Sequence, residues 1–251
     1  MVERVSRSSG FSLGMVQQGV SMDLLVFDVD GTLTATNEVD GRCFAQAGRE
    51  LFGLVLDLSW RSYPHRTDSG ILRHSFLAQL RRAPTAEEMA AFRRRFLGLL
   101  EQEFGAAPEN FRAVAGAPRA IAAIAEQRTY ALALATGGWR TSALFKLEQA
   151  GFAARRLPAA FADDAEAREE IARIAVARAS LHHQQRFDRI VLVGDSDCDV
   201  ATAARIGAGF VGVAADGNEE PLRAEGAQWV LRDYEDFDAF IATIEAARHR
   251  A

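Results

Sequence analysis

The sequence predicts an α/β protein built on a parallel sheet, interrupted after its first strand by a block of helices. Three observations predict it. Short apolar runs recur along the chain: LLVFDV (24–29), YALALAT (130–136), VLVG (191–194), FVGVA (210–214) and a weaker WVL (229–231). Each is bounded by Gly, Asp or Thr, as expected of strands covered on both faces. From residue 119 onward amphipathic helical segments separate the runs, which implies right-handed crossovers in a doubly wound sheet. Residues 36–115 hold no run of that quality and read as helices.

The elements follow in order. The opening stretch MVERVSRSSGFSLGMVQQGVSM has Arg and Ser but no continuous apolar segment, so it is a poor secretory signal. Residues 1–21 read as a flexible leader. The first strand then runs into Asp28 and Asp30. In the helical block, HRTDSG (65–70) opens the helix ILRHSFLAQL. Thr85 and Glu88 form a T-x-x-E capping box behind Pro84. Met89, Phe92, Phe96, Leu99 and Leu100 follow at helical spacing as a packing stripe. Pro118 starts the next helix, and SALFKLEQA ends at Gly151, a C-cap. A short strand is expected near Leu157 to Phe161. REEIARIAVARASL carries Ile171, Ile174, Ala175 and Ala179 along one stripe. The expected division is a core of 22–35 and 116–251 around an inserted helical domain of 36–115.

Composition narrows the function. The 251 residues suffice for one large domain or two modest ones. With 49% hydrophobic and 25% charged residues, the chain reads as soluble and globular. A net charge of -5 and the lack of basic patches argue against nucleic acid as a partner. No apolar run reaches the about 18 residues of a membrane span, so no membrane partner is expected. Cys43 and Cys198 lie far apart without metal-ligand spacing and read as free thiols of a reducing cytoplasm.

Ligands of open α/β sheets bind at the carboxyl ends of strands. The first strand ends on Asp28 and Asp30, the second on Thr136, Gly137 and Gly138, and that at 191–194 on Asp195, with Asp197 and Asp199 behind. One acidic strand end is weak, because Asp also caps helices, and Asp199 alone could be a cap. Two carboxylate clusters converging with a hydroxyl need a cation, and hard oxygen ligands without a Cys/His cluster point to Mg²⁺. Beside it one carboxylate can attack phosphorus, and a second can move the proton. Thr136 and adjacent backbone N–H groups can hold phosphoryl oxygens. A further cation must balance the transition state.

D-x-D-G-T after an apolar strand, h-h-h-T at a later strand end and G-D-x-x-x-D after another resemble the haloacid dehalogenase (HAD) superfamily. The resemblance runs from about residue 22 to 240, in the right order, and is nearest to phosphoglycolate-phosphatase-like members. It implies a Rossmann-like core with a helical C1 cap, and a Mg²⁺ cofactor. It implies Asp28 as nucleophile and metal ligand, and Asp30 as acid/base lending its backbone carbonyl to the metal. Thr136, with Gly137 beside it, would bind the phosphoryl group. Asp195 would be a metal ligand and Asp199 a supporting one, with Asp197 a variable loop residue. The family's third motif is normally a lysine. In FADDAEAREEI that position holds Arg168, expected to take the role; the alternative is a surface pair with Asp164. Lys146, the only lysine, sits mid-helix at a spacing expected to face solvent, a weaker candidate.

Arg61, His65, Arg66, Thr67 and Asp68 form the one cationic cluster of the insertion. They read either as an anion-recognising patch or as ordinary helix-cap chemistry. His74, His182 and His183 are isolated from the motifs. The resulting expectation is a Mg²⁺-dependent phosphatase acting on a small organic phosphate monoester, phosphoglycolate- or sugar-phosphate-like, through an aspartyl-phosphate. A phosphomutase on the same fold and a non-catalytic binding or scaffold protein are the alternatives. A dehalogenase is disfavoured by Asp30, a phosphonatase by the lack of a cap lysine, and a receiver domain by length. The expected partner is a small anionic phosphorylated metabolite, and the expected state a monomer or homodimer.

Overall fold

Strands form where the apolar runs lie, and helices fill the amphipathic stretches between them. A computed structural model describes residues 22–247; the leader expected at 1–21 lies outside the described residues. The chain runs β1 (Asp23–Phe27), α1 (Asn37–Phe52), α2 (Asp68–Ser75), α3 (Ala86–Ala106), α4 (Ala117–Glu126), β2 (Tyr130–Ala135), α5 (Arg140–Gln149) and β3 (Ala159–Ala160). It continues through α6 (Arg168–His183), β4 (Ile190–Gly194), α7 (Asp197–Ile206), β5 (Gly209–Val213), α8 (Glu220–Ala224), β6 (Val230–Leu231) and α9 (Phe237–Ala247). All strand pairs are parallel, in the order β3-β2-β1-β4-β5-β6. The fold is α/β with a Rossmann-like sheet, as the apolar runs predict.

Residue alternation explains why β1 is apolar throughout. Leu25 and Phe27 face one side, with Leu132, Val191, Ile124 of α4 and Phe240 and Ile244 of α9. Leu24 and Val26 face the other, with Ala131, Leu192 and the α6 stripe Ile171, Ala175 and Ala179. Each such buried aliphatic side chain stabilises the fold by about 1.5–3 kcal/mol. β3 and β6 are two residues each, which is why their sequence signal is faint.

The helices after β1 have their own core. Phe44 of α1 meets Phe92 and Phe96 of α3 at centroid distances of 4.7 and 5.3 Å. Thr85 and Glu88 make the expected capping box on α3. Trp139, from the β2–α5 loop, inserts its ring among these three, and Phe145 of α5 packs edge-on against Phe104 of α3 and Phe111, so the inserted helices pack onto the core through aromatic side chains. The two connecting segments run side by side, joined by Ala35 N–H to Arg112 C=O (2.9 Å) and Val114 N–H to Leu33 C=O (3.0 Å).

From β1 the chain crosses to β2 and β3 on one side, then returns to β4 on the other. The exits of β1, β2 and β4 therefore border the switch point where such sheets open a crevice. No helix among the described residues is long and apolar enough to cross a membrane.

Candidate active site

The exit of β1 is held by its neighbour strand: Asp28 N–H donates to Val193 C=O at 3.0 Å. The chain then turns through Gly31, whose φ is +76°. A Cβ there would sit 1.9 Å from Asp195 Oδ2, so only glycine lets the β1 and β4 exits close on each other. We expect Gly31→Ala to displace Asp195. It should cost about 1 kcal/mol for the left-handed backbone alone and lower turnover of any reaction at this site far more than it lowers the melting temperature. Parallel melts and steady-state kinetics check this.

Oxygens of Asp28, Asp195 and Asp199 all lie within 4.8 Å of one another. Asn37 Nδ2 donates to Asp195 Oδ2 at 2.8 Å, and Ser196 donates to Asp199 Oδ2 from its backbone N (3.1 Å) and its hydroxyl (2.5 Å). Asp199 thus does more than cap α7. Asp28 is 6% exposed, and its Oδ1 has no hydrogen-bond partner. Burial, then repulsion from Asp199 and Asp30, push Asp28 up to about 6 against the pull of Arg168. Burial and the charges of Asp199 and Asp28 raise Asp195 well above the ordinary carboxylate range. A buried carboxylate oxygen without a donor, in an all-oxygen cluster, fits a hard divalent cation such as Mg²⁺. Asp28, Asp195 and Asp199 could hold it with their side chains.

Asp30 points elsewhere. Its Oδ1 accepts from Thr36 Oγ1 at 2.5 Å, and Thr36 in turn shares a 2.6 Å hydrogen bond with Thr34. Its Oδ2 accepts from Lys146 Nζ at 2.6 Å. Lys146 does not face solvent: it is 0% exposed and also pairs with Asp40 of α1. The expectation failed because α5 is covered by the inserted helices, and Ala143, Lys146, Leu147 and Ala150 form one inward stripe. Burial works against the ammonium, but Asp30 and Asp40 outweigh it and hold its pKa above the ordinary lysine value.

Arg168 opens α6 and reaches the cluster. Its Nη1 donates to Asp199 Oδ1 at 2.6 Å and lies 3.4 Å from Asp28 Oδ2, while Nε donates to Arg66 C=O at 3.2 Å. Asp164, the alternative partner, is held by Arg178 through two 2.7 Å bonds. Thr136 is buried at the exit of β2 and accepts from Gly138 N–H at 3.2 Å. Gly137 beside it lines the same cavity, of about 260 Å³, with Asp28, Asp30, Thr136, Arg168 and Asp195.

The cationic cluster of the insertion divides. Arg66 lines the cavity, but its guanidinium is held by both oxygens of Asp197, at 2.7 and 2.8 Å. Asp197, the first residue of α7, is thus bonded to the insertion. Arg61 and His65 do not line this cavity; they line an adjoining outer depression that shares Arg66, Arg168 and Cys198 with it. Thr67 caps α2 through Gly70 N–H (3.2 Å) and donates to Glu166 C=O (2.8 Å), so its hydroxyl is spent on structure. His74 packs edge-on against Tyr63, and His182 and His183 meet edge-on at the end of α6.

The profile of the haloacid dehalogenase-like hydrolases matches residues 22–207. The chain belongs to this family. Solved structures agree on the fold. A hydrolase from Pseudomonas syringae is 18% identical with a TM-score of 0.67, covering 88% of this chain and 98% of its own. A predicted phosphoglycolate phosphatase from Haemophilus somnus 129pt is 20% identical with a TM-score of 0.53, covering 91% and 100%. A predicted phosphatase from Clostridium acetobutylicum is 19% identical with a TM-score of 0.58, covering 88% and 99%. No curated protein sequence matched.

In this HAD-like hydrolase, sequence reasoning missed two residues that meet Asp30 or border it, Thr36 and Asp40, and ranked a third, Lys146, as the weaker candidate. Asp40 lies in the first turn of α1, where an acid needs no special explanation. Lys146 did carry a signal, because it falls three residues after Ala143 on an apolar stripe.

Proposed function

We propose that this hydrolase is a Mg²⁺-assisted phosphatase of small phosphate monoesters working through an aspartyl-phosphate. One observation carries the reading: two carboxylates two residues apart occupy different surroundings. Asp28 faces Asp195, Asp199 and Arg168 with one oxygen free, whereas Asp30 is turned to Thr36 and Lys146. That separation suits a division of labour between nucleophile and proton carrier.

Asp28 attacks phosphorus, the ester oxygen leaves, and Asp30 gives that oxygen its proton. Asp30 then takes a proton from water as the water attacks the aspartyl-phosphate, which frees phosphate and restores Asp28. Thr136 and the backbone N–H groups after it hold phosphoryl oxygens, and Arg168 balances the charge that develops on them. When bound, the divalent cation supplies neutralising charge to the three carboxylates and the phosphoryl group.

Two measurements test this. With Mg²⁺, wild type should release phosphate from a panel of phosphomonoesters and Asp28→Asn should not; equal background release from both would end the reading. Independently, Mg²⁺ should raise the melting temperature more at pH 7.5 than at pH 5. Asp28 moves from 3.8 to about 6 on folding without the cation. Its contribution to stability is full below pH 4 and is lost as pH rises through 6. Cation binding requires the ionised form and replaces that loss at neutral pH.

A further inference from the structure

We propose that the alcohol released from the substrate carries an amino or ammonium group, recognised by the wall that the inserted helices contribute to the catalytic cavity. This rests on the phosphatase reading above and names its substrate class. The wall is formed by Asp40, Gly41, Phe44, Trp60, Asp68 and Ile71.

Its charged side chains are both carboxylates, Asp40 and Asp68. Asp40 gives one oxygen to Lys146, and its other oxygen meets no hydrogen-bond donor among the described residues. Asp68 is 8% exposed; its Oδ2 accepts from Trp139 N–H at 2.8 Å, and its Oδ1 meets no donor among the described residues. Three carboxylates, Asp30, Asp40 and Asp68, interact with the one ammonium of Lys146, whose bonds go to Asp30 and Asp40. Two carboxylates against one ammonium leave negative charge over, and Asp68 adds an oxygen acceptor beside them. Burial and Asp40 raise Asp68 well above the ordinary range, and burial raises Asp40 to about 6; an added cation relieves both.

The apolar part of the wall is aromatic and deliberately placed. Trp60 is a non-glycine residue with φ of +60°, a conformation that costs about 1 kcal/mol or more and persists only where the surroundings impose it. Its indole lies against the backbone of α1, where a Cβ on Gly41 would come within 3.1 Å of the ring. The Phe44 ring stands edge-on to it, centroids 6.3 Å apart. Aromatic rings beside carboxylates that each keep one oxygen available attract an ammonium by charge and by the ring quadrupole. A carboxylate-bearing alcohol would meet like charge here. Arg66, the insertion's cation at the cavity, is already held by Asp197 at both oxygens. A neutral polyol would find acceptors but gain nothing from the excess charge.

The test compares isosteres on the full chain with Mg²⁺: choline phosphate against 3,3-dimethylbutyl phosphate, and ethanolamine phosphate against ethylene glycol monophosphate, with p-nitrophenyl phosphate as a general probe. We expect kcat/KM to favour the charged member of at least one pair by about tenfold or more, and Trp60→Leu to reduce that ratio. Ratios near one in both pairs, with p-nitrophenyl phosphate turned over, overturn the substrate class and leave the phosphatase reading standing. A preference that a folded Trp60→Leu protein retains in full also overturns it. Phosphate release from none of the five compounds overturns the phosphatase reading, and this inference with it.

Discussion

Lys146→Met is expected to lower stability by about 2–3 kcal/mol, below the range for a fully buried pair, because it leaves two half-buried carboxylates without their buried ammonium. For a chain of this size that is a fall in melting temperature of up to roughly 10 °C. Lys146 Nζ sits 2.6 Å from Asp30 Oδ2 and also bonds Asp40, with no exposure to solvent. The sign with pH follows from the pair. The lysine's pKa is raised on folding, so its contribution is fully present throughout the neutral range and is lost only at strongly alkaline pH. Asp40, which burial already raises to about 6, takes up a proton on acidification, and the deficit of the variant narrows below that pH. Thermal melts from pH 8 to pH 5 check both statements. The double variant Lys146→Met/Asp40→Leu should regain much of the lost stability, since replacing both members of a buried pair with apolar groups is often neutral. Turnover should stay low in the double variant, because Asp30 still lacks the ammonium that fixes its second oxygen. Full recovery of turnover along with stability would show that Lys146 has only a structural role.

The reasons some of this site is visible in the sequence, and some is not, are physical. Asp28, Thr136 and Asp195 stand out because each ends an apolar run abruptly. A parallel sheet buried on both faces leaves polar residues only where strands exit. Their convergence then follows from strand order. Arg168 is legible only through its place at the start of a helix after the third strand, and its partners are 140 and 31 residues away in sequence. Lys146 misleads because a lone lysine in a helix is usually solvated; what covers α5 is the insertion, chiefly α3, and the partner Asp40 lies 106 residues earlier. Trp60 belongs to no periodic pattern at all. Its position depends on a left-handed backbone and on Gly41 leaving room for its ring, neither of which a spacing rule can show. Arg61 and His65 err in the opposite direction. They are near Arg66 in sequence, yet the segment turns between them and the cavity, and the stitch of Thr67 to Glu166 and Asp68 N–H to Gly137 C=O (2.8 Å) fixes that turn.

Arg168→Ala is expected to lower turnover by about 100- to 1,000-fold, the range for removing one preorganised donor from a charge-developing site. Arg168 is the only cation bonded to the Asp28, Asp195 and Asp199 cluster among the described residues, at 2.6 Å from Asp199 and 3.4 Å from Asp28. Without it three carboxylates face one another, and their repulsion falls on whatever cation they hold. The variant should therefore differ from wild type in two ways: lower turnover at saturating substrate, and a changed Mg²⁺ requirement. Arg168→Lys separates charge from shape. An ammonium restores the positive charge but cannot reproduce the forked guanidinium, which bonds Asp199 through Nη1 and the Arg66 carbonyl through Nε at once. If charge is what matters, lysine recovers most of the turnover. If the Nε bond to the Arg66 carbonyl also holds the inserted segment in place, lysine restores the Mg²⁺ dependence but leaves KM raised. Turnover unchanged in Arg168→Ala would remove Arg168 from the reaction and leave its bonds as packing between α6 and α7.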